Sequence, residues 1–435
     1  MNISVFGMWH LGCVYSACLA KLGHRVTGID TEPIVINNLK KNQSPIFEPR
    51  LEELIKDQSQ KGKLEFSNSI SDLGKSEIIF ITFDTVVDEN DIADHLSVVS
   101  QIKESLKHLK DNAIVIISSQ LPVGTISDLE NFSHFEFPNK KIKFCCLPEN
   151  LRLGDAINVF MQPDRILIGR RKEDQIDQTI EEIFKKLKTR LIFMKTESAE
   201  VSKHAINAFL ATSVCFGNEI ASVCENVGAD SHEVTLALKS ESRIGNKAYI
   251  APGMAFSGGT LARDIVYLNK ISDSKRIFNP LIKSVIESNN HHSSWVLSKI
   301  EKYSKKNDYK NILLFGITYK ANTDTLRRSQ PVMICNELIS KGFRVNVFDE
   351  YVSKSNISMM IPGAIYQNNL NLVKNNLVDV IIIFNKSKAL NDLSHLLKIE
   401  NNNEILIIDP NGVIIELHRK KILKNYVAVG YEQNE

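Results

Sequence analysis

The opening thirty residues leave this chain little choice about how it begins to fold. Asn2 to Phe6 is a short apolar run, Gly7-Met8-Trp9-His10-Leu11-Gly12 follows, and a helical stretch continues to Leu22. A second apolar run, His24 to Ile29, ends on Asp30. Strand, glycine turn, helix, strand and terminal acid form the βαβ unit that opens a parallel sheet and receives a dinucleotide. Gly7 and Gly12 stand where a tight turn and close helix–strand packing need them. The middle glycine of that fingerprint, which lets a pyrophosphate lie on bare backbone, is replaced by Trp9. Asp30 would accept hydrogen bonds from the adenosine ribose diol and repel a 2′-phosphate, which favours NAD over NADP.

At 435 residues the chain exceeds what one core usually supports, so two or three domains are expected. A formal charge of +2 argues against nucleic-acid or membrane-surface binding driven by bulk electrostatics. The seven cysteines show no metal-like Cys-x-x-Cys spacing, and no metal site is expected. Cys215 and Cys224 fall in a helical run and read as small core residues. An odd cysteine count without a secretory signal suits a reducing cytosol, and no apolar run approaches the ~20 residues of a membrane span. The expectation is a cytoplasmic protein.

Further strands are predicted at Ile78 to Thr82, Ile114 to Ile117, Lys143 to Leu147, Lys310 to Gly316, Arg344 to Phe348, Val378 to Phe384 and Ile405 to Ile408. From Glu197 to about Glu225 apolar residues recur at helical spacing without a proline, which predicts one long helix. Lys203 and Asn207 project from the same face of it, one turn apart. Ala255-Phe256-Ser257-Gly258-Gly259-Thr260-Leu261-Ala262-Arg263-Asp264 then runs from a small-residue loop into a helix start, a combination suited to close approach by an anionic ligand.

These segments together resemble the UDP-glucose/GDP-mannose dehydrogenase family from about residue 2 to residue 420. The Pro45-Ile46-Phe47-Glu48-Pro49 segment resembles the family's Pro-Ile-x-Glu-Pro. Ser119-Gln120-Leu121-Pro122-Val123-Gly124-Thr125 resembles its Ser-Gln-Val-Pro-Val-Gly-Thr, and Pro148-Glu149-Asn150-Leu151-Arg152-Leu153-Gly154 its Pro-Glu-Phe-Leu-Arg-Glu-Gly. Pro163 to Gly169 and Glu200 to Thr212 match in the same way, as do Arg243-Ile244-Gly245 and Lys320 to Ser329. The resemblance implies two Rossmann-like, doubly wound parallel-sheet domains joined by a long central helix and a helical dimerisation domain. Its boundaries are residues 1–195 for NAD, 196–305 for the central helical part, and 306–435 for the nucleotide sugar.

It also implies roles. Lys203, Asn207, Asp264, Glu149 and Thr260 occupy catalytic positions. Gly7, Trp9, Leu11, Gly12, Asp30, Thr85, Gln120 and Arg327 fall at the coenzyme. Glu149, Leu151, Lys203, Asn207, Arg243, Tyr249, Gly258 and Lys320 fall at a UDP- or GDP-linked sugar. A homodimer and a part in making surface-polysaccharide precursors are implied as well.

Three positions depart from the family pattern. Leu153 replaces its second acid, Asn411 stands where an arginine for the nucleotide sugar is expected, and Thr260 replaces the nucleophilic cysteine. A threonine hydroxyl is far less acidic than a thiol and needs an adjacent base before it can attack. Three readings follow: an oxidoreductase that forms no thioester, an epimerase that retains its NAD, and a non-catalytic relative.

Overall fold

The computed structural model describes residues 1–85, 93–149, 151–257, 260–321, 323–399 and 404–432. Gly258 and Gly259 of the small-residue loop, and Asn150, lie outside the described residues. Two compact units divide the chain, Met1–Ile206 and Asn207–Glu435.

The first unit is built on a sheet of strands β1 (Asn2–Phe6), β2 (Arg25–Ile29), β3 (Leu64–Ser67), β4 (Ile78–Ile81), β5 (Ile114–Ile117), β6 (Lys143–Cys146), β7 (Arg165–Arg170) and β8 (Arg190–Met194). Their spatial order is β3-β2-β1-β4-β5-β6-β7-β8, with only the β6–β7 pair antiparallel. Ile78–Ile81 and Ile114–Ile117 are buried throughout. This explains why both read as unbroken apolar runs rather than alternating ones: helices cover both faces of the sheet. The chain reverses its direction of winding between β1 and β4, and ligands of open α/β sheets bind at that reversal, outside the carboxyl ends of the strands.

The second unit repeats the plan with β9 (Asn311–Phe315), β10 (Arg344–Phe348), β11 (Ile365–Tyr366), β12 (Val380–Ile383), β13 (Leu406–Ile408), β14 (Tyr426–Ala428) and β15 (Tyr431–Glu432). Its order is β11-β10-β9-β12-β13-β14-β15. The likeness extends to hydrogen bonds. In the first unit Gly7 N–H donates to Ile29 O, and Met8 N–H to Asp30 Oδ2 at 2.6 Å. In the second, Gly316 N–H donates to Phe348 O, and Ile317 N–H to Asp349 Oδ2 at 2.7 Å. Each glycine turn is therefore pinned by the acid that ends the neighbouring strand.

The helix Thr196–Val227 spans the division between the units, 32 residues without a break. Within the second unit its Glu225 accepts from Trp295 Nε1, Lys299 Nζ and Gly430 N–H, tying the helix end to the C-terminal segment. Cys215 and Cys224 are buried, as their helical setting predicts. Asn411 has a structural place: its Oδ1 accepts Met254 N–H and its Nδ2 donates to Phe384 O. A Cβ at Gly253 would lie 2.7 Å from that same Oδ1. The amide thus braces a loop at the position where the family pattern has an arginine.

Candidate active site

Gly7 adopts φ +103°, a left-handed conformation that a side chain resists, and a Cβ there would lie 2.9 Å from Phe83. At Gly12 a Cβ would come within 1.8 Å of Gly7 O. The turn is therefore closed tightly around two glycines that nothing larger could replace. Trp9 is the N-cap of the first helix, His10–Lys21, and is 45% exposed, so its indole turns outward instead of packing into the turn. Leu11 and Gly12 are buried, and they offer the turn their backbone. Asp30 Oδ1 accepts Glu32 N–H at 3.0 Å, so both carboxylate oxygens are oriented at the end of β2. These residues fit NAD: glycines where the backbone must crowd, a helix start for a diphosphate, and an acid for a ribose diol. Thr85 is buried in the segment that follows β4.

His10, the first helical residue, bonds Glu48 Oε2 through Nε2 at 2.8 Å. Glu48 also accepts the N–H groups of Gly154 and Ala156, at the start of the short helix Ala156–Met161. Burial raises its carboxyl pKa, but His10 and the two amides outweigh that, and the net result lies below the usual carboxylate range. One buried carboxylate thus joins the glycine-turn helix to the loop carrying Glu149. The sequence marked Glu48 only as part of a landmark; a bond spanning more than a hundred residues leaves no local signal.

At the carboxyl ends of β5 and β6 a cleft open to solvent is lined by Ser118, Ser119, Gln120, Glu149, Lys203 and His204, among others. Glu149 Oε2 accepts Leu151 N–H at 2.7 Å, and its Oε1 stands 3.4 Å from Lys203 Nζ. The ammonium is nearly buried and the carboxylate only partly exposed, so each strengthens the field the other feels. Gln120 Nε2 lies 3.5 Å from His204 Nδ1, and His204 is buried among these neighbours. Glu200 accepts Gly124 N–H and Ile126 N–H at the start of the helix Thr125–Glu136. Burial raises its carboxyl pKa despite those two bonds.

In the second unit Asn207 Nδ2 donates a hydrogen bond to Asp264 Oδ2, and Asp264 has no exposed surface. Arg263 Nε lies 3.7 Å from Asp264 Oδ1. Thr260 is exposed at the N-cap of the helix Leu261–Ser274, and its side chain makes no capping bond. Arg243 and Tyr249 are exposed, Arg243 Nε bonding Glu241 at 3.0 Å. Lys320 and Arg327 are exposed in the segment after β9.

All seven cysteines are free and buried. Burial pushes their thiols up, Cys18 and Cys335 to about 12 and Cys146 well above its ordinary value. None has the electropositive, open setting that makes a thiolate.

A glycine turn closed by a strand-terminal acid, a twin α/β unit, and an amine–carboxylate pair at the sheet's carboxyl edge define a two-domain dinucleotide-binding oxidoreductase. Three family models extend this along the chain: the NAD-binding domain of the UDP-glucose/GDP-mannose dehydrogenase family over residues 1–188, its central domain over 197–291, and its UDP-binding domain over 313–415. The UDP-glucose 6-dehydrogenase YwqF of Bacillus subtilis is 34% identical over 369 residues, covering 84% of this chain and 83% of that protein. The UDP-glucose 6-dehydrogenase of Rickettsia prowazekii is 30% identical over 457 residues, covering 99% of both chains. A UDP-glucose dehydrogenase structure from Pyrobaculum islandicum superposes with a TM-score of 0.87 at 24% identity, covering 99% of this chain and 98% of that one. The chain belongs to the UDP-glucose/GDP-mannose dehydrogenase family.

Proposed function

We propose that this protein oxidises a CH–OH carbon of a UDP- or GDP-linked sugar without passing through a thioester. Bound NAD would supply the hydride acceptor. The observation that carries the reading is the Lys203–Glu149 pair, 3.4 Å apart in a cleft at the sheet edge where such folds bind ligands. Lys203 would stabilise negative charge on the oxygen of the reacting carbon, and Glu149 would accept its proton. Asn207, with its amide held by Asp264, would donate to that oxygen, and Leu151 N–H keeps Glu149 aimed. Gly7, Leu11, Gly12 and Asp30 would hold the coenzyme with Thr85, Gln120 and Arg327. Arg243, Tyr249, Gly258 and Lys320 would meet the nucleotide sugar. Thr260 would shape the site without attacking.

The seven buried, pKa-raised thiols support the absence of a covalent cysteine step. The division into residues 1–195, 196–305 and 306–435 belongs to the same proposal, with a cytoplasmic location and a part in supplying surface-polysaccharide precursors. So does a homodimer, supported by Phe209, Phe216, Val223 and Val227, which are exposed along the long helix. Among the described residues no helix is long and apolar enough to cross a membrane. The test is to incubate the purified protein with NAD and a panel of UDP- and GDP-sugars while following absorbance and product mass. Sugar-dependent reduction of NAD supports the reading. An isomer of unchanged mass would indicate epimerisation instead.

A further inference from the structure

Two hydroxyls in the cleft are unexplained by the roles above. Ser118 Oγ and Ser119 Oγ are buried, line the cleft, and have no hydrogen-bond partner among the described residues. The Ser118 hydroxyl also faces the Tyr15 phenol, close enough to act on its titration. A buried hydroxyl left unpaired forfeits the hydrogen bonds it had in water, so two at one wall mark a place for a polar guest. A water held at this wall needs two to four polar partners. Glu149 and Lys203 line the same cleft.

We infer that this wall holds the water that hydrates an aldehyde, replacing the missing thiol with a gem-diol. The inference rests on the oxidoreductase reading above. Ser118 and Ser119 hold the water. Its oxygen forms a bond to the aldehyde carbon, and its proton passes to the Glu149 carboxylate. The carbonyl π pair moves onto the aldehyde oxygen, which takes a proton from the Lys203 ammonium. Aldehyde and water give one gem-diol, and proton exchange between Glu149 and Lys203 restores both. No oxidant takes part. The gem-diol again carries a hydrogen on an oxygenated carbon, so a second oxidation to the acid needs no covalent intermediate.

The test omits NAD. The 6-aldehyde of UDP-glucose, and that of GDP-mannose, are mixed with the full chain in H₂¹⁸O, and ¹⁸O entry into the aldehyde is timed by mass spectrometry. The inference predicts exchange on the order of 10²-fold above the protein-free rate, as general acid–base catalysis allows. It predicts loss of most of that gain in Ser119→Ala and in Ser118→Ala/Ser119→Ala, each checked by its thermal melt for intact folding. Exchange at the background rate, or full acceleration in a folded double variant, overturns it. NAD reduction with the parent sugars is read separately. Reduction without accelerated exchange removes this inference alone, whereas no reduction with any sugar removes the oxidoreductase reading.

Discussion

Lys203 Nζ stands 3.4 Å from Glu149 Oε1, and the same carboxylate is fixed on its other oxygen by Leu151 N–H at 2.7 Å. A charge pair aimed this firmly can act on developing charge without reorganising first. Lys203→Met is expected to lower kcat by ~10²–10³ while leaving NADH affinity within about threefold. Steady-state kinetics with the active sugar and an NADH titration check both. A kcat close to wild type would remove Lys203 from the chemistry.

Asp264 is wholly buried, and Asn207 donates to it. Removing a hydrogen bond to a buried charge leaves that charge poorly solvated. Asn207→Leu should therefore lower stability by about 2–3 kcal/mol in urea unfolding, and adding Asp264→Asn should restore part of it. Full additivity of the two substitutions would contradict the coupling.

Trp9 is exposed at the glycine turn, whereas Trp295, the other tryptophan, is buried. NADH bound at the turn should quench Trp9 emission by energy transfer, and Trp9→Phe should abolish most of that signal at nearly unchanged affinity. Trp9→Gly should still bind NADH. NADH binding that leaves Trp9 emission unaltered would place the coenzyme elsewhere.

Glu48 is held below its unfolded carboxyl value of 4.5 by His10 and two amides, which outweigh its burial. A depressed folded pKa adds stability that is complete above the unfolded value and is lost as pH falls through the folded one. Glu48→Gln should thus cost about 1–3 kcal/mol at pH 7. The gap from wild type should narrow below pH ~4.5, as read from urea midpoints across pH. A gap of constant size would mean that the charge of Glu48 is not what braces the loop.

Much of this fold could be read from local pattern. β1, β5 and β10 run between the same residues that the sequence marked: β5 is an unbroken apolar run, and past the first residue of β1 and of β10 only Ser4 and Asn346 interrupt the apolar ones. β3 (Leu64–Ser67) and β8 (Arg190–Met194) were not legible: the first alternates over only four residues, and the second follows a polar, lysine-rich helix end. The long helix emerged from Thr196 to Val227, close to its predicted span, since no proline interrupts its periodicity. Of the proposed functional residues, Lys203, Glu149, Asn207 and Asp264 stood in the sequence as separate motif matches. It held no trace of the Glu48 bonds to His10, Gly154 and Ala156, or of the two serines left unpaired among the described residues, because those depend on what the fold brings, or fails to bring, beside each side chain. Asn411, an apparent loss by pattern, carries a structural task that only its contacts with Met254 and Phe384 disclose.

The most direct test of the account is reduction of NAD by a nucleotide sugar in protein pretreated with iodoacetamide. The prediction is sugar-dependent NADH formation, at a rate that alkylation leaves unchanged, with a product lighter by two hydrogens or oxidised to the acid. NADH formation abolished by alkylation, or NAD left oxidised with every UDP- and GDP-sugar, would contradict it.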